Sequence, residues 1–270
     1  MRSTTIVVGV GYLGRRYLDQ YENTLGLTRR DFDLDQEDPF TVELPSHYDV
    51  IYTVPPSPEG PSDSRLERLL ANLDPVPRRF VYISTTGVYG DHAGATVNEE
   101  TPVSPGSDRA ARRVAAENAL RAWAIDSGSI AVVLRVPGIY GPGRLGIERI
   151  RQQAPVVRDE DLGPGNRIHV DDLAACCAAA LDETVPGGIY NVGDGDHRSS
   201  TWFSNAVAGQ CDLPPAPTIS MEQAEKEFSP MRLSFLREQR RVDTTKMRDV
   251  LKVNLKYANP ENGIAASLEG

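Results

Sequence analysis

Short apolar runs rich in β-branched residues alternate along this sequence with longer segments whose apolar positions recur at helical spacing. This alternation is typical of a parallel sheet whose strands are connected by helices. The predicted strands are Thr4–Val8, Leu25–Thr28, Asp49–Val54, Arg79–Ser84, Ile130–Val136 and Gly188–Val192. The predicted helices are Tyr12–Glu22, Ser62–Asn72, Asp108–Ile125, a short one within Gly141–Gln153, Val170–Leu181 and Thr201–Gln210. The pattern therefore predicts an α/β fold with a doubly wound parallel sheet.

The C-terminal part of the chain differs from the rest because its periodicity is weaker and prolines are frequent. A chain of 270 residues has the usual length of one large α/β domain. We therefore expect residues 1–270 to form a single domain. Within it, residues 195–270 are expected to contribute much of a small helical lobe that covers the substrate site at the carboxyl ends of the strands.

A glycine-rich turn, GVGYLG at residues 9–14, joins the first predicted strand to the first helix. In this context Gly9 permits a tight turn, Gly11 lets the backbone approach a pyrophosphate, and Gly14 lets helix and strand pack closely. The free N–H groups at the start of the helix, including those of Tyr12 and Leu13, attract an anion. The turn therefore predicts a Rossmann-type site for a dinucleotide.

The end of the second strand indicates which dinucleotide binds. Sites for NAD place an acidic residue about 20 positions after the glycine motif to hold the ribose 2′-hydroxyl. This chain has Arg29 and Arg30 there, and two guanidinium groups suit a 2′-phosphate. NADP(H) is therefore the favoured cofactor, while the nearby Asp31 and Asp33 leave NAD possible. In the alternative interpretation, both arginines are solvated surface charges.

Five segments in this order resemble the extended short-chain dehydrogenase/reductases, the group of NAD-dependent epimerases and dehydratases that act on nucleotide sugars. They are the glycine turn, ISTTGVYG at Ile83–Gly90, LRVPGIYGPGR at Leu134–Arg144, IHVDDL at Ile168–Leu173 and YNVG at Tyr190–Gly193. The resemblance covers about the first 200 residues. It implies a Rossmann-type fold, an NAD(P) cofactor and a carbonyl or sugar-nucleotide-like substrate.

Family members carry a Ser or Thr, and a Tyr followed four positions later by a Lys. The tyrosine is the acid/base, and the lysine lowers its pKa and binds the nicotinamide ribose. The resemblance assigns the hydroxyl role to Thr85 or Thr86, although these hydroxyls can instead satisfy backbone groups at the strand end. All four lysines lie in the last fifty residues, and none follows a tyrosine by four positions. The Tyr–Lys pair is therefore absent, and alignment of the helix places Arg109 and Arg113 at its two positions.

An arginine cannot replace the tyrosine as a proton donor, because its pKa exceeds about 12. Arg109 can still stabilise an anionic oxygen, and Arg113 can hold the nicotinamide ribose by hydrogen bonds. In the alternative interpretation, both belong to a solvated helix face. The proton donor is left open between Tyr89, Tyr140 and a water molecule held by Arg109.

Ligands of open α/β sheets bind beyond the carboxyl ends of the strands. We therefore expect the cofactor to contact Val54, Pro55, Pro56, Ser84 and Pro137 in addition to the glycine turn. The resemblance assigns four residues to the substrate pocket, namely Tyr89, Tyr140, Arg144 and His169. His169 can alternatively cap the helix that begins at Val170.

Overall composition narrows the class of partner. The net charge of −9 argues against binding to nucleic acid backbones, and no apolar run approaches the roughly 20 residues of a membrane span. The three cysteines have no metal-site spacing, and no metal is predicted. A cytoplasmic protein is expected, and a homodimer through the helix 109–124 is possible.

Together these features predict an atypical, NADP(H)-binding extended short-chain dehydrogenase/reductase that acts as an oxidoreductase or epimerase on a sugar-nucleotide-like carbonyl substrate. Because the Tyr–Lys pair is missing, the alternative is a non-catalytic NADP(H)-binding sensor or scaffold. A purely structural subunit would require the glycine and arginine signals to be incidental.

Overall fold

The computed structural model describes residues 3–36 and 43–269. The strands in this part of the chain are β1 (Thr4–Val8), β2 (Thr24–Leu27), β3 (Tyr48–Tyr52), β4 (Arg79–Thr85), β5 (Thr96–Val97), β6 (Ile130–Val136), β7 (Gly138–Tyr140), β8 (Val156–Val157), β9 (Arg167–His169), β10 (Gly188–Asn191), β11 (Thr218–Ile219) and β12 (Arg241–Val242). The α-helices are α1 (Tyr12–Gln20), α2 (Ser64–Ala71), α3 (Asp108–Ser127), α4 (Ile147–Arg151), α5 (Val170–Ala180), α6 (Ser200–Gln210), α7 (Met221–Glu227), α8 (Pro230–Arg237) and α9 (Pro260–Glu269).

Six of these strands form one parallel sheet in the order β10-β6-β4-β3-β1-β2. The chain passes from β1 outward to β2 and then returns to β3 on the other side of β1, so the winding direction reverses there. Such a switch point is where ligands bind in open α/β sheets. The predicted fold class is confirmed. The remaining strands form three short parallel pairs, which are β7 with β9, β11 with β8, and β12 with β5.

The sequence pattern predicted the bounds of β1 and β6 as observed, and the fourth strand extends one residue further, to Thr85. The helix expected within 141–153 is limited to α4. Side chains alternate between the two faces of the sheet because the repeat of a strand is two residues. In β1, for example, Val7 packs against α1 and α5, whereas Ile6 packs on the face covered by α2 and α3.

The C-terminal helices pack beside the carboxyl ends of the sheet strands. Val207 on α6 and Ile264 on α9 share a buried cluster with Tyr140 and Ile150. The chain after α8 then approaches the 3₁₀ turn Thr86–Tyr89 that follows β4, where the guanidinium of Arg240 donates to the Gly90 carbonyl at 2.7 Å. Among the described residues, no helix has both the length and the apolar character needed to cross a bilayer.

Candidate functional site

The three glycines of the first turn meet three different physical requirements. Gly9 has φ +95°, and a Cβ there would lie 2.8 Å from Val54 Cγ2. A Cβ on Gly14 would lie 2.2 Å from the Gly9 carbonyl oxygen, so this position needs glycine for close packing of α1 on the sheet. A Cβ on Gly11 would meet nothing within 4 Å and would project into open space. Gly11 therefore keeps the approach to the backbone clear.

A cleft of about 370 Å³ opens beside this turn at the carboxyl ends of β1, β2 and β3. Of the predicted cofactor contacts, Gly9, Gly11, Arg29, Val54 and Pro55 line it. Pro56 and Arg30 are not among its lining residues, nor is Leu13, whose side chain is buried in the core.

The side chain of Tyr12 lies outside this cleft, although it follows Gly11 directly. Its hydroxyl donates to the Pro142 carbonyl at 3.0 Å, and the Arg144 guanidinium lies 3.9 Å from its ring centroid. Tyr12 thus links the glycine turn to the segment that carries Arg144.

The charged residues of the cleft form a small network. Arg65 pairs with Asp35 at 2.7 Å, and Arg29 contacts Asp35 and lies 3.5 Å from Asp33. These two guanidinium groups lower the pKa of the Asp35 carboxyl, the hydrogen bond from Arg65 having the larger effect. No motif in the sequence marks Arg65 as a cleft residue, because α2 brings it to the cleft from another part of the chain.

These features fit a dinucleotide. The N-cap of α1 is Gly11, which has no side chain to satisfy the first N–H groups of the helix, so they can bind a pyrophosphate. The space that a Gly11 Cβ would fill leaves room for close approach, and the guanidinium groups of Arg29 and Arg65 line the same cleft, where Asp33 and Asp35 pair with them.

A second and larger cavity, about 630 Å³, lies at the carboxyl ends of β4 and β6. Among the predicted site residues, Thr85, Thr86, Arg109, Pro137 and Arg144 line it. Its other walls are the segments 162–166 and 235–240. The structure thus brings together predicted residues from β4, the following turn, α3 and the segment after β6.

Thr85 lies at the edge of this cavity with its hydroxyl partly engaged. The Thr85 Oγ1 accepts the Gly87 N–H at 3.1 Å and so caps the 3₁₀ turn after β4. A hydroxyl keeps its own proton for donation in such a contact. Thr85 can therefore satisfy the backbone and still donate a hydrogen bond to a ligand, while Thr86 beside it is 4% exposed.

Ser84 points to the interior instead of the cofactor side, which corrects the expectation for its side chain. Its hydroxyl donates to Glu117 Oε1 at 2.5 Å, and Glu117 pairs with Arg135 at 2.7 Å. Side chains of consecutive strand residues point to opposite faces, so Ser84 and Thr85 cannot both face the cavity.

Tyr89 and Tyr140 also require correction as candidate proton donors, because neither lines the cavity. Tyr89 is fully buried, and its hydroxyl donates to Asn191 Oδ1 at 2.7 Å. Tyr140 is 3% exposed and packs edge-on against Phe203 in the cluster with α6 and α9. Burial raises the pKa of both phenols, which makes proton release near neutral pH harder still.

His169 occupies the position of a helix cap. Its Nδ1 accepts the Asp171 N–H at 3.1 Å at the start of α5, and its Nε2 lies 3.1 Å from Ser267 Oγ. The ring is 1% exposed, and burial lowers its pKa to about 4, so the folded protein holds it neutral. This geometry supports the capping interpretation over contact with substrate.

Arg113 lies behind the end of β4. Its Nη1 donates to the Ile83 carbonyl at 2.8 Å and to the Tyr82 hydroxyl at 2.9 Å, and it is not among the lining residues of either cavity. Burial raises the pKa of Tyr82 to about 12 despite the nearby guanidinium. The structure thus separates Arg113 from Arg109, although both lie on α3.

Five of the described residues that line the cavity come from the C-terminal segment, and no sequence pattern predicted them: Phe235, Leu236, Glu238, Gln239 and Arg240. Glu238 has a side chain only 13% exposed and pairs with Arg240 at 3.1 Å. Its Oε2 lies 3.7 Å from the point where a Gly87 Cβ would be, and Thr85 Oγ1 lies 3.4 Å from the same point. Phe235 supports Arg109, whose guanidinium lies 4.3 Å from the ring centroid. No local motif marks these residues, because the chain folds back over about 150 positions to bring them here.

The acid/base groups of the cavity are therefore few. Among the described residues that line it, Glu238 carries the one carboxyl group, and none of them is a tyrosine, histidine, lysine or cysteine.

Comparison with known proteins supports the resemblance. The sequence profile of the NAD dependent epimerase/dehydratase family matches residues 65–193. A UDP-glucose 4-epimerase from Mycolicibacterium smegmatis is 31% identical over 208 residues, which are 71% of this chain and 62% of that protein. A dTDP-glucose 4,6-dehydratase from Streptomyces niveus is 29% identical over 144 residues, which are 49% of this chain and 42% of that protein. The chain thus matches less than two thirds of the length of either relative.

Solved structures resemble the whole chain. A functionally unknown conserved protein from Silicibacter pomeroyi has a TM-score of 0.80 at 29% identity, with 99% of each chain covered. RMD from Pseudomonas aeruginosa complexed with NADPH has a TM-score of 0.77 at 18% identity, covering 99% of this chain and 97% of that one. MoeE5 in complex with UDP-glucose and NAD has a TM-score of 0.73 at 18% identity, covering 99% and 98%. The last two likenesses concern the fold alone.

The profile match includes Thr85, Arg109 and Pro137 of the cavity, and the sheet order is that of a doubly wound fold. On this evidence the chain belongs to the NAD-dependent epimerase/dehydratase family.

Proposed function

We propose that this protein is an NADP(H)-preferring oxidoreductase or epimerase that acts on a sugar-nucleotide-like carbonyl substrate. One observation carries the proposal: a cleft suited to a dinucleotide and a polar cavity of about 630 Å³ open at the carboxyl ends of neighbouring strands of one parallel sheet. The names of the related epimerase and dehydratase support a nucleotide sugar as the substrate class.

The cofactor site follows from the cleft. The backbone at Gly11 and the first N–H groups of α1 would hold the pyrophosphate, and Val54 and Pro55 would border the adenosine. Arg29 and Arg65 would bind a 2′-phosphate, for which planar guanidinium groups are well suited. Asp33 and Asp35 line the same cleft, so the preference for NADP(H) depends on these arginines exchanging their carboxylate partners for the phosphate.

Each of four cavity residues is assigned one part of the reaction. A bound nicotinamide supplies the acceptor or donor of hydride. An alcohol carbon that loses hydride must also lose its hydroxyl proton, and we assign acceptance and return of that proton to Glu238. Thr85 donates a hydrogen bond to the substrate oxygen, and Arg109 stabilises negative charge as it develops there. Arg240 holds the Glu238 carboxylate in place.

The non-catalytic alternative is favoured by one observation, the absence of tyrosine and lysine from the described residues that line the cavity. A sensor would bind a dinucleotide without reacting a substrate. The polar lining, with Thr85, Asn166 and Glu238, argues for a site that binds a polar ligand and therefore favours the enzyme.

Fluorescence titration with NADPH, NADH, NADP and NAD tests the cofactor part. We expect NADPH to bind most tightly, and Arg29→Ala or Arg65→Ala to weaken it by about tenfold or more through loss of charged hydrogen bonds. Arg30→Ala is the matched control, because Arg30 adjoins Arg29 but does not line the cleft. This variant should bind NADPH with the affinity of wild type. Tighter binding of NADH would overturn the NADP(H) preference, and failure to bind any dinucleotide would overturn the proposed function.

A further inference from the structure

The substrate cavity is basic, whereas the chain as a whole carries a net charge of −9. The charged residues of its lining, within the described part of the chain, are Arg109, Arg144, Arg240 and one carboxylate, that of Glu238. Glu238 pairs with Arg240 at 3.1 Å, so these two charges compensate each other. Two positive charges are therefore left to attract an anionic ligand.

The two remaining arginines rest on aromatic rings instead of carboxylates. Arg109 lies over Phe235 at 4.3 Å, and Arg144 lies over Tyr12 at 3.9 Å. Neither forms an ion pair within the part of the chain that the structure describes. A stacked guanidinium keeps its N–H donors in the plane of the group, where they can bind a carboxylate or phosphate in bidentate fashion.

Arg109 lies at the N-terminus of α3. It is the second residue of α3, a helix of 20 residues whose N-cap is Ser107. The N-terminus of a helix carries a partial positive charge, which acts within the first turn. Arg109 thus reaches the cavity from the N-terminal turn of α3, where the carboxylate of Asp108 offsets part of the helix charge.

The position of Arg109 indicates which part of the substrate it would contact. It lines the cavity together with Thr85 and Thr86, and Thr85 is the residue to which the proposed function assigns the hydrogen bond to the reacting oxygen. Arg144 is linked to the glycine turn through Tyr12 and approaches the cavity from another side of the fold. An anion bound by Arg109 would thus belong to the reacting end of the substrate.

From this arrangement we infer that the substrate carries a carboxylate on its reacting sugar, and that Arg109 binds it. The inference rests on the proposed function and narrows its substrate class to nucleotide-linked acidic sugars, such as uronic acids, over neutral hexoses. Arg109 is then a specificity-determining residue, and its replacement of the tyrosine exchanges a proton donor for an anion-binding group.

Calorimetric titration with UDP, UDP-glucose and UDP-glucuronate, each in the presence of saturating NADPH, tests this inference. Wild type should bind UDP-glucuronate about tenfold or more tightly than UDP-glucose, the effect expected for a charged hydrogen bond. Arg109→Gln should abolish that difference by weakening the binding of UDP-glucuronate much more than the binding of UDP or UDP-glucose. Arg112→Gln is the matched control, since Arg112 lies on the same helix but donates to the Gly60 carbonyl and does not line the cavity.

Each outcome has a distinct meaning. Equal affinity of wild type for the two sugar nucleotides would overturn the inference and leave the proposed function standing. If Arg109→Gln weakened the binding of all three ligands equally, the inference would also be overturned, because Arg109 would then bind the phosphates common to them. If NADPH binds but none of the three ligands does, the proposed substrate class fails and this inference fails with it. Arg109→Lys provides a second variant, which should retain part of the preference through its charge.

Discussion

Glu117 on α3 and Arg135 on β6 form an ion pair at 2.7 Å inside the protein, with each side chain only 4% exposed. The hydroxyl of Ser84 also donates to Glu117, so this pair lies directly behind Thr85. Buried charges depend on such partners because transfer from water costs several kcal/mol for each ion. The pair thus joins β4, β6 and α3 at the edge where the substrate cavity opens.

Loss of one partner of this pair should destabilise the fold strongly. Glu117→Gln leaves the Arg135 charge buried without compensation, and we expect the free energy of unfolding to fall by about 3–5 kcal/mol in urea denaturation. The double variant Glu117→Leu/Arg135→Met removes both charges, so its free energy of unfolding should fall by less than that of Glu117→Gln. A loss below about 1 kcal/mol for Glu117→Gln would contradict this account.

Two glycines of the same turn should respond differently to alanine. Gly11→Ala adds a methyl group in open space, so stability should be unchanged while NADPH affinity falls by about tenfold or more. Gly14→Ala places a methyl group 2.2 Å from the Gly9 carbonyl oxygen, so it should lower the melting temperature by several degrees. Thermal denaturation without ligand and NADPH titration measure the two effects separately. Equal behaviour of the two variants would refute the separate roles.

Glu238→Gln tests the assignment of proton transfer. The substitution preserves the size of the side chain but removes proton acceptance, so we expect kcat to fall by about 10²–10⁴-fold with little change in KM. The acidic limb of the pH profile of kcat should disappear as well. If Glu238 had a purely structural role, Glu238→Gln would instead lower stability and raise KM, and the pH profile of kcat would be unchanged. Glu238→Asp, which keeps the carboxylate, should recover part of the activity.

Asp194 should make stability fall as the pH rises. It is 8% exposed, and burial raises its pKa from 3.8 to about 7. Between these values the folded protein binds the proton more strongly than the unfolded chain does, so stability decreases from about pH 4 to pH 7 and remains low above that. The cost at pH 8 is at most about 4 kcal/mol, since one pKa unit corresponds to about 1.4 kcal/mol.

Asp194→Asn isolates this effect, because an amide oxygen can still accept the Asp196 N–H. The variant should match wild type near pH 4 and exceed its stability increasingly up to about pH 7, as measured by urea denaturation at several pH values. Titration of His169 has the opposite effect, because it lowers the stability of the protein as the pH falls from 6.5 to about 4. Wild type and Asp194→Asn both contain His169, so this effect cancels in the difference between them. A stability difference that is independent of pH would count against a protonated Asp194.

The corrections at the site have a common cause. Tyr89 and Tyr140 stand in motifs that resemble the family, yet their rings pack into the interior and their hydroxyls do not reach the cavity. Arg113 similarly meets Ile83 and Tyr82 behind β4. Residue type and spacing place a side chain on an element, whereas its final direction also depends on the elements that pack against it.

The sequence by itself determined the doubly wound sheet, the glycine turn and the family, because each depends on periodicity or on residues close together in the chain. It also indicated that Thr85 and Arg109 belong to one site. Only the tertiary structure brought Arg65 to the dinucleotide cleft and Glu238 to Thr85. Those contacts join segments far apart in sequence, and they arise from the packing of whole elements, which no local spacing encodes.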